Sequence, residues 1–475
     1  MAETEVAAEV SEALHNPGKT AAGEKPYPNP LYAWYVVGIL VVAYTFSFID
    51  RQILSLLVGP MKRDLNISDF EMSLLQGFAF AIFYALVGLP IGRMVDSKNR
   101  VAIISIGILV WSAMTALCGV ARSYWQLFLF RMGVGVGEAA LSPAAYSMLA
   151  DYFRPERMGF ALGVYGMGVY IGAGLALIIG AQVVGIVGAA DVSATAVPII
   201  GEIYPWQIVF LVVGLPGILI ALWMWTVKEP ERRGHMRTET NADGEETHAP
   251  LPLGEVVNFM WQNKGTLASH HLCYALGAMM AYGVAAWIPT FLVRTHGWGV
   301  VESGTYYGTV VMVFGTAGVV AGGWVGDKVT ASGRANGRLL VMSFGCLAAA
   351  PFALTYPLVD NIPLLFVLLS FATFFSTFAI APGAAAIPEL MPNQMRGFAS
   401  AFMIFVITLI GLGLGPSIIA AMTDFYYQDE MMIRYSLTYP PTIILTMGGL
   451  IGLAGLKPYL ESRKRVVAWT AQHEG

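Results

Sequence analysis

A chain of 475 residues that is 56% hydrophobic and 12% charged carries about half the charged share of a soluble domain, which excludes an ordinary cytosolic enzyme and points to a polytopic membrane protein. A net charge of −4 offers nothing for nucleic acid to hold. The three cysteines, Cys118, Cys273 and Cys346, each sit inside an apolar run and read as small buried hydrophobes, neither a disulfide framework nor a metal site.

Residues 1–32 are polar, rich in Ala, Glu and Pro, lack the apolar core of a cleavable signal peptide, and read as a disordered tail. A bilayer core of about 30 Å needs roughly twenty apolar residues as helix. Six such runs follow, near 33–58, 73–95, 101–120, 125–150, 158–188 and 205–226, and form a first bundle over 33–227. The first carries Asp50 and Arg51, the fourth Arg131 and Glu138. A polar stretch, 228–266, interrupts the pattern; its later part, Glu255 to Gln262, reads either as plain linker or as an amphipathic helix on the membrane surface. Six further runs, near 268–293, 303–326, 338–356, 362–386, 398–423 and 436–456, make a second bundle over 267–460, and a basic tail, 461–475, follows. His270 and His271 stand at the interfacial start of the seventh run and read first as structural.

Basic residues set the orientation. With the termini and even-numbered loops on one side, 20 of the 27 Lys and Arg fall there, 5 fall opposite and 2 lie within the membrane. Both termini are therefore expected in the cytoplasm, with an even number of spans. The halves also echo one another. Gly92-Arg-Met-Val-Asp96, with Lys98 and Arg100 beyond, matches Gly323-Trp-Val-Gly-Asp327-Lys328; Pro155-Glu-Arg-Met-Gly-Phe-Ala matches Pro392-Asn-Gln-Met-Arg-Gly-Phe-Ala. The offsets, about 231 and 237 residues, imply an all-α membrane protein of twelve transmembrane helices in two duplicated six-helix bundles, an arrangement suited to alternating access. Gly92, Asp96, Arg100, Gly323, Asp327 and Lys328 are candidate gating residues: glycine lets helices approach, and aspartate caps a helix or meets an arginine across the inner mouth.

These paired loops resemble the signature of the major facilitator superfamily, although Ser97 and Asn99 depart from its first copy. A narrower resemblance rests on Phe48-Ile-Asp50-Arg51, on Arg131-Met-Gly-Val-Gly-Val-Gly-Glu138 and on Leu141-Ser-Pro-Ala-Ala-Tyr. These are similar to the Spinster family, whose animal members move sphingosine-1-phosphate or lysophospholipids; the chain looks like a bacterial member, which would place it in the inner membrane. The resemblance implies proton-linked transport of an amphiphilic lipid and implicates Asp50, Arg51, Arg131 and Glu138.

The charges point to the same place without the family. A charge at the centre of a membrane helix costs about 2.5–3.5 kcal/mol on insertion scales, so its retention suggests function. At 1.5 Å rise per residue, Arg131 lies roughly 9 Å deep, Asp50 and Arg51 roughly 14 Å and Glu138 roughly 20 Å. Span one is therefore expected to slot against span four, with Asp50 near Arg131 and Arg51 near Glu138; the alternative is an ion network that only glues the helices. Asp50 and Glu138 are the candidates for proton coupling, because arginine does not release its proton here. Arg51 and Arg131 are the candidates for an anionic headgroup. The Gly-x-Gly-x-Gly within span four follows no strand and is no nucleotide loop.

Spans seven to twelve carry no deep charge, so the pathway is itself amphipathic. Phe46, Ser47, Trp287, Phe371, Phe374, Phe375 and Phe378 are its candidate lining. The expected partners are a small amphiphile, protons and the bilayer. The only energy source expected is the proton gradient, with no cofactor, metal or catalytic residue, and a single chain is expected to function as a monomer. Transport of small organic anions or drugs on the same fold is the alternative.

Overall fold

The computed structural model describes residues 27–188, 195–197, 201–232, 239–240, 246–247 and 252–473. Residues 1–26 of the expected tail lie outside that description, as does most of the 233–251 stretch. Among the described residues, eleven helices are long and apolar enough to cross a membrane: Pro30–Leu56, Asp69–Val95, Arg100–Cys118, Phe160–Val187, Pro205–Trp225, Lys264–His296, Val300–Ala331, Gly337–Leu358, Ile362–Leu390, Arg396–Tyr427 and Glu430–Ala454. The remaining span, fourth in chain order, is Tyr124–Glu138 continued by Leu141–Tyr152. Its break at Ala139–Ala140 has a local cause, for Pro143 has no N–H to return to the carbonyl four residues back.

The face on which span one begins is called the terminal face here, the opposite one the far face. Before span seven a ten-residue helix, Leu253–Gln262, buries Val256 and Phe259 and exposes Leu253, Val257 and Trp261. The basic end of the chain is also helical, Leu456–His473, and packs Trp469 against Phe259.

The duplication is visible in backbone and side chain. Spans two and eight each carry a five-residue π-helical turn, Leu74–Phe78 and Val311–Gly315, 237 residues apart. Such bulges concentrate at functional sites because they turn the helical face by an inserted residue. On the terminal face, buried Arg100 binds Asp151 and, through Nε at 2.7 Å, Glu229. Its counterpart Arg338 binds Asp327 at 3.1 Å and Glu389 at 2.6 Å. Arg100 and Arg338, like Asp151 and Glu389, are 238 residues apart. Tyr459 donates to Glu389 at 2.9 Å; burial, then that carboxylate, push its hydroxyl well above the usual phenol range, so it stays a donor. Both clusters tie helices of one half to each other.

The far face is tied across the halves. Asp69, at the start of span two, accepts from Arg294 at the end of span seven through both guanidinium nitrogens, at 2.6 and 2.8 Å. Lys62 bridges Asp69 and Glu430, and Arg294 also reaches Glu430 at 3.0 Å. The Phe70 N–H donates to Asp424 at 2.6 Å. The three cysteines are all buried and unbridged.

Candidate functional site

The site begins with glycine. In the run after Arg131, a Cβ on Gly135 would stand 2.4 Å from the Phe80 carbonyl oxygen, and one on Gly137 2.5 Å from the Trp111 amide nitrogen. Span four therefore lies backbone to backbone against spans two and three, and Arg131 and Glu138 are carried into the interior at 0% and 1% exposure. Among close-packed membrane helices this is the usual work of small residues.

Arg51 reaches from span one to Glu138, donating through Nε at 2.6 Å and pairing through Nη2 as well. Its guanidinium also lies over the rings of Phe80 at 4.5 Å, Phe48 at 5.1 Å and Tyr84 at 5.5 Å. Arg131 lies on the same Phe80 ring at 5.8 Å, so one aromatic side chain serves two cations, a favourable place for charge away from water. The Arg51–Glu138 pairing is the one expected from depth. The second expected pairing takes another form. Arg131 donates to the backbone oxygen of Asp50 at 3.1 Å and to that of Leu75 at 3.3 Å, not to the Asp50 carboxylate. The two carbonyls occupy the guanidinium, and Asp50 Oδ1, Arg131 Nη2 and Glu138 Oε1 have no hydrogen-bond partner.

A cavity of about 1230 Å³ lies between the halves. Among the described residues its charged lining is Arg51, deep inside, and Asp327 at the mouth; most of the remainder is apolar or tyrosine, including Tyr44, Tyr84, Tyr170, Tyr274 and Tyr282. It reaches the terminal face at Phe160, Trp324 and Asp327 and runs into the second half as far as Tyr356 and Leu445. The seam between spans five and eight is wedge-shaped. Toward the far face a Cβ on Gly174 would stand 2.5 Å from the Gly308 oxygen and one on Gly304 2.6 Å from the Ala181 Cβ. Toward the terminal face a Cβ on Gly163 or Gly166 would meet nothing within 4 Å, and both glycines line the cavity.

The expected lining is corrected here: Phe46, Ser47, Trp287, Phe371, Phe374, Phe375 and Phe378 are not on the cavity wall. Trp287 is fully buried and donates to the Pro416 oxygen at 2.9 Å, joining spans seven and eleven. Of the span-ten phenylalanines, Phe371 and Phe375 stack on Phe352 of span nine, Phe378 is edge-on to Phe344, and Phe374 packs on Phe375 and Phe378 of its own span. Ser47 is buried and donates to the Tyr44 oxygen, and Phe46 packs partly buried among the helices. What the sequence reading missed is the tyrosine wall and Phe80; the signal available was the aromatic stretch of span two, in which Phe80 and Tyr84 stand one helical turn apart.

Of the gating candidates, Gly323 and Asp327 line the mouth, Lys328 lies over the Trp324 ring at 4.9 Å, and Arg100 is locked inside its half. Gly92 faces open space; the Asp96 side chain lies outside the described residues. The histidine pair at the start of span seven is buried in the second half, with His270 Nε2 donating to the Gly383 oxygen at 2.9 Å.

Two bundles around a central cavity, related by a repeat of about 237 residues, are accompanied by a match to the Major Facilitator Superfamily over residues 40–460. The chain belongs to that superfamily. It is a transporter, a multi-pass membrane protein and not an enzyme. Within the superfamily it is similar to the crystal structure of a bacterial homolog of the human lysosomal transporter Spinster in an inward-facing, unoccupied conformation. The TM-score is 0.74 at 26% identity, covering 93% of this chain and 99% of that one. It is 25% identical over 476 residues to the sphingosine-1-phosphate transporter SPNS2 of Xenopus tropicalis, covering 92% and 85% of the two chains. It is also 26% identical over 404 residues to an MFS-type efflux pump of Mycolicibacterium smegmatis, covering 84% and 87%.

Proposed function

We propose that this major facilitator carries an amphiphilic lipid, of the lysophospholipid or sphingosine-1-phosphate kind, by proton-coupled alternating access. The terminal face is read as cytoplasmic on the distribution of basic residues, in a bacterial inner membrane. One observation carries the reading: a large, mostly apolar cavity contains a single deep guanidinium, and that guanidinium is held by a buried carboxylate. An anionic headgroup suits Arg51, since guanidinium forks match phosphate oxygens. The acyl chain lies along the second half and enters through the open end of the seam between spans five and eight.

Coupling follows from sharing one arginine. While Arg51 holds Glu138, the carboxylate is stabilised; when a phosphate takes Arg51, a buried carboxylate without its cation takes up a proton. Substrate occupancy and protonation are thereby linked. The similarity to an efflux pump favours a second reading, export of drugs or small organic anions through the same cavity. Uptake into proteoliposomes separates them, using a lysophosphatidylglycerol series and a short phosphate ester, with and without a pH gradient. The lipid reading expects transport that weakens as the chain shortens and responds to the gradient. Equal handling of the short ester supports the second reading, and indifference to the gradient removes proton coupling.

A further inference from the structure

Hydroxyl groups buried in helices ordinarily donate to a carbonyl three or four residues back. The buried Ser343, Ser370, Thr377 and Thr423 all do so here. Span three departs from this habit. Ser105, Ser112 and Thr115 are fully buried, and the hydroxyl oxygen of each lacks a hydrogen-bond partner. A buried hydroxyl that makes no such bond bears a standing cost, which a change of partner during the working cycle would relieve.

For Thr115 that partner is at hand. Its hydroxyl lies beside the Asp50 carboxyl without closing a hydrogen bond, and Asp50 Oδ1 and Arg131 Nη2 are both unpartnered. All three residues are at most 2% exposed and none lines the central cavity. The other groups that face Asp50 are Arg51 beside it on span one, Glu138 on span four and the Cys118 thiol on span three; span two contributes the Leu75 carbonyl that holds Arg131. Span six closes the back. A Cβ on Gly214 would stand 3.1 Å from Thr115 Cγ2 and 2.7 Å from the Ala116 nitrogen, so the threonine methyl is held in place while its hydroxyl is left free.

We propose that Thr115 is the positioning residue of a second proton site, in which its hydroxyl, the Asp50 carboxyl and Arg131 Nη2 exchange partners as a proton arrives. With Asp50 ionised, the carboxylate accepts from the Thr115 O–H and from Nη2 of Arg131. When a proton binds, the new Asp50 O–H donates to the Thr115 oxygen, and the Thr115 O–H turns to the Trp111 carbonyl of its own helix, the bond that the other hydroxyls make. No covalent bond breaks except in the donor that delivers the proton. The inference rests on the proton-coupled reading above and deepens it: one proton site answers to the substrate through Arg51, the other is screened from the cavity.

The test compares Thr115→Val, Thr115→Ala and Thr115→Ser in proteoliposomes, following proton uptake with trapped pyranine and transport of lysophosphatidylglycerol across a pH series. A hydroxyl that donates to a carboxylate favours its ionised form, so both hydroxyl-free variants should move the pH midpoint by about one unit toward alkaline. Thr115→Ser should return it, and in an Asp50→Asn background Thr115→Val should move nothing further. If the midpoint ignores both hydroxyl-free variants while Asp50→Asn alters it, Thr115 is overturned and the proton site on Asp50 stands. If Asp50→Asn leaves the whole pH profile unchanged, both fall together.

Discussion

Arg51 and Glu138 illustrate how much a single contact decides. The guanidinium is partly open to the cavity while the carboxylate is sealed, their side chains being 15% and 0% exposed. Arg51→Ala therefore strands a buried carboxylate, and breaking a buried pair from one side costs about 3–5 kcal/mol. The expected outcome is a lower melting temperature together with loss of both lysolipid binding and the response to a pH gradient. Glu138→Gln keeps a neutral acceptor for Arg51, so binding should persist while the gradient response disappears. Binding titrations and gradient-driven uptake on the same preparation check both; an unchanged pH dependence in Glu138→Gln moves the coupling role to Asp50. Residues of this kind were legible in the sequence because a charge within an apolar run is conspicuous, and helical rise placed Asp50 and Arg51 between the levels of Arg131 and Glu138, which suggested the pairing. The form of the Asp50–Arg131 contact was not legible, since a carbonyl oxygen leaves no mark in a sequence. Neither were the tyrosines and phenylalanines, which look the same whether they face a cavity, lipid or another helix.

Helices show the same division. Eleven spans were recognisable from apolar length, and the fourth was found despite Arg131, Glu138 and the break that Pro143 causes. The π-helical turns in spans two and eight were invisible, because an inserted residue alters phase without altering composition. The seam between spans five and eight was equally hidden, since glycines that touch and glycines that do not are the same letter. Their substitutions should separate cleanly. Gly308→Leu drives a side chain into span five and should destabilise the protein by about 1–3 kcal/mol, as overpacking does. Gly163→Leu meets open space and should leave stability within about 0.5 kcal/mol. It narrows the lipid's route, so long-chain lysolipids should be transported more slowly than short ones relative to the wild type. Thermal melts paired with a chain-length series read both effects; equal sensitivity of all chain lengths would mean that substrate does not pass between these spans.

The molecule as a whole is fastened on the far face and open on the terminal face. Asp69 is the centre of the fastening, sealed from solvent and held by Lys62 and Arg294, while Glu430 forms its exposed limb. Asp69→Asn leaves two cations sharing a neutral amide, and the far face should part. Spin labels at Trp125 and Tyr426, both well exposed and on different halves, should then report longer distances, with a narrower terminal mouth. High salt should do less than the mutation, because screening reaches Glu430 and not the buried carboxylate. Unchanged distances in Asp69→Asn would show that helix packing alone keeps this face shut. Duplication was readable from two short sequence echoes, yet the fastening was not, for its contacts between the halves join residues more than two hundred positions apart that share no motif. Such distance measurements are simplified by the placement of sulfur in this chain. Cys118, Cys273 and Cys346 are each at most 1% exposed, so maleimides and methanethiosulfonates find no native target on the surface in this conformation. The unmodified chain is thus its own labelling background, and a thiol introduced anywhere on its surface announces its position alone.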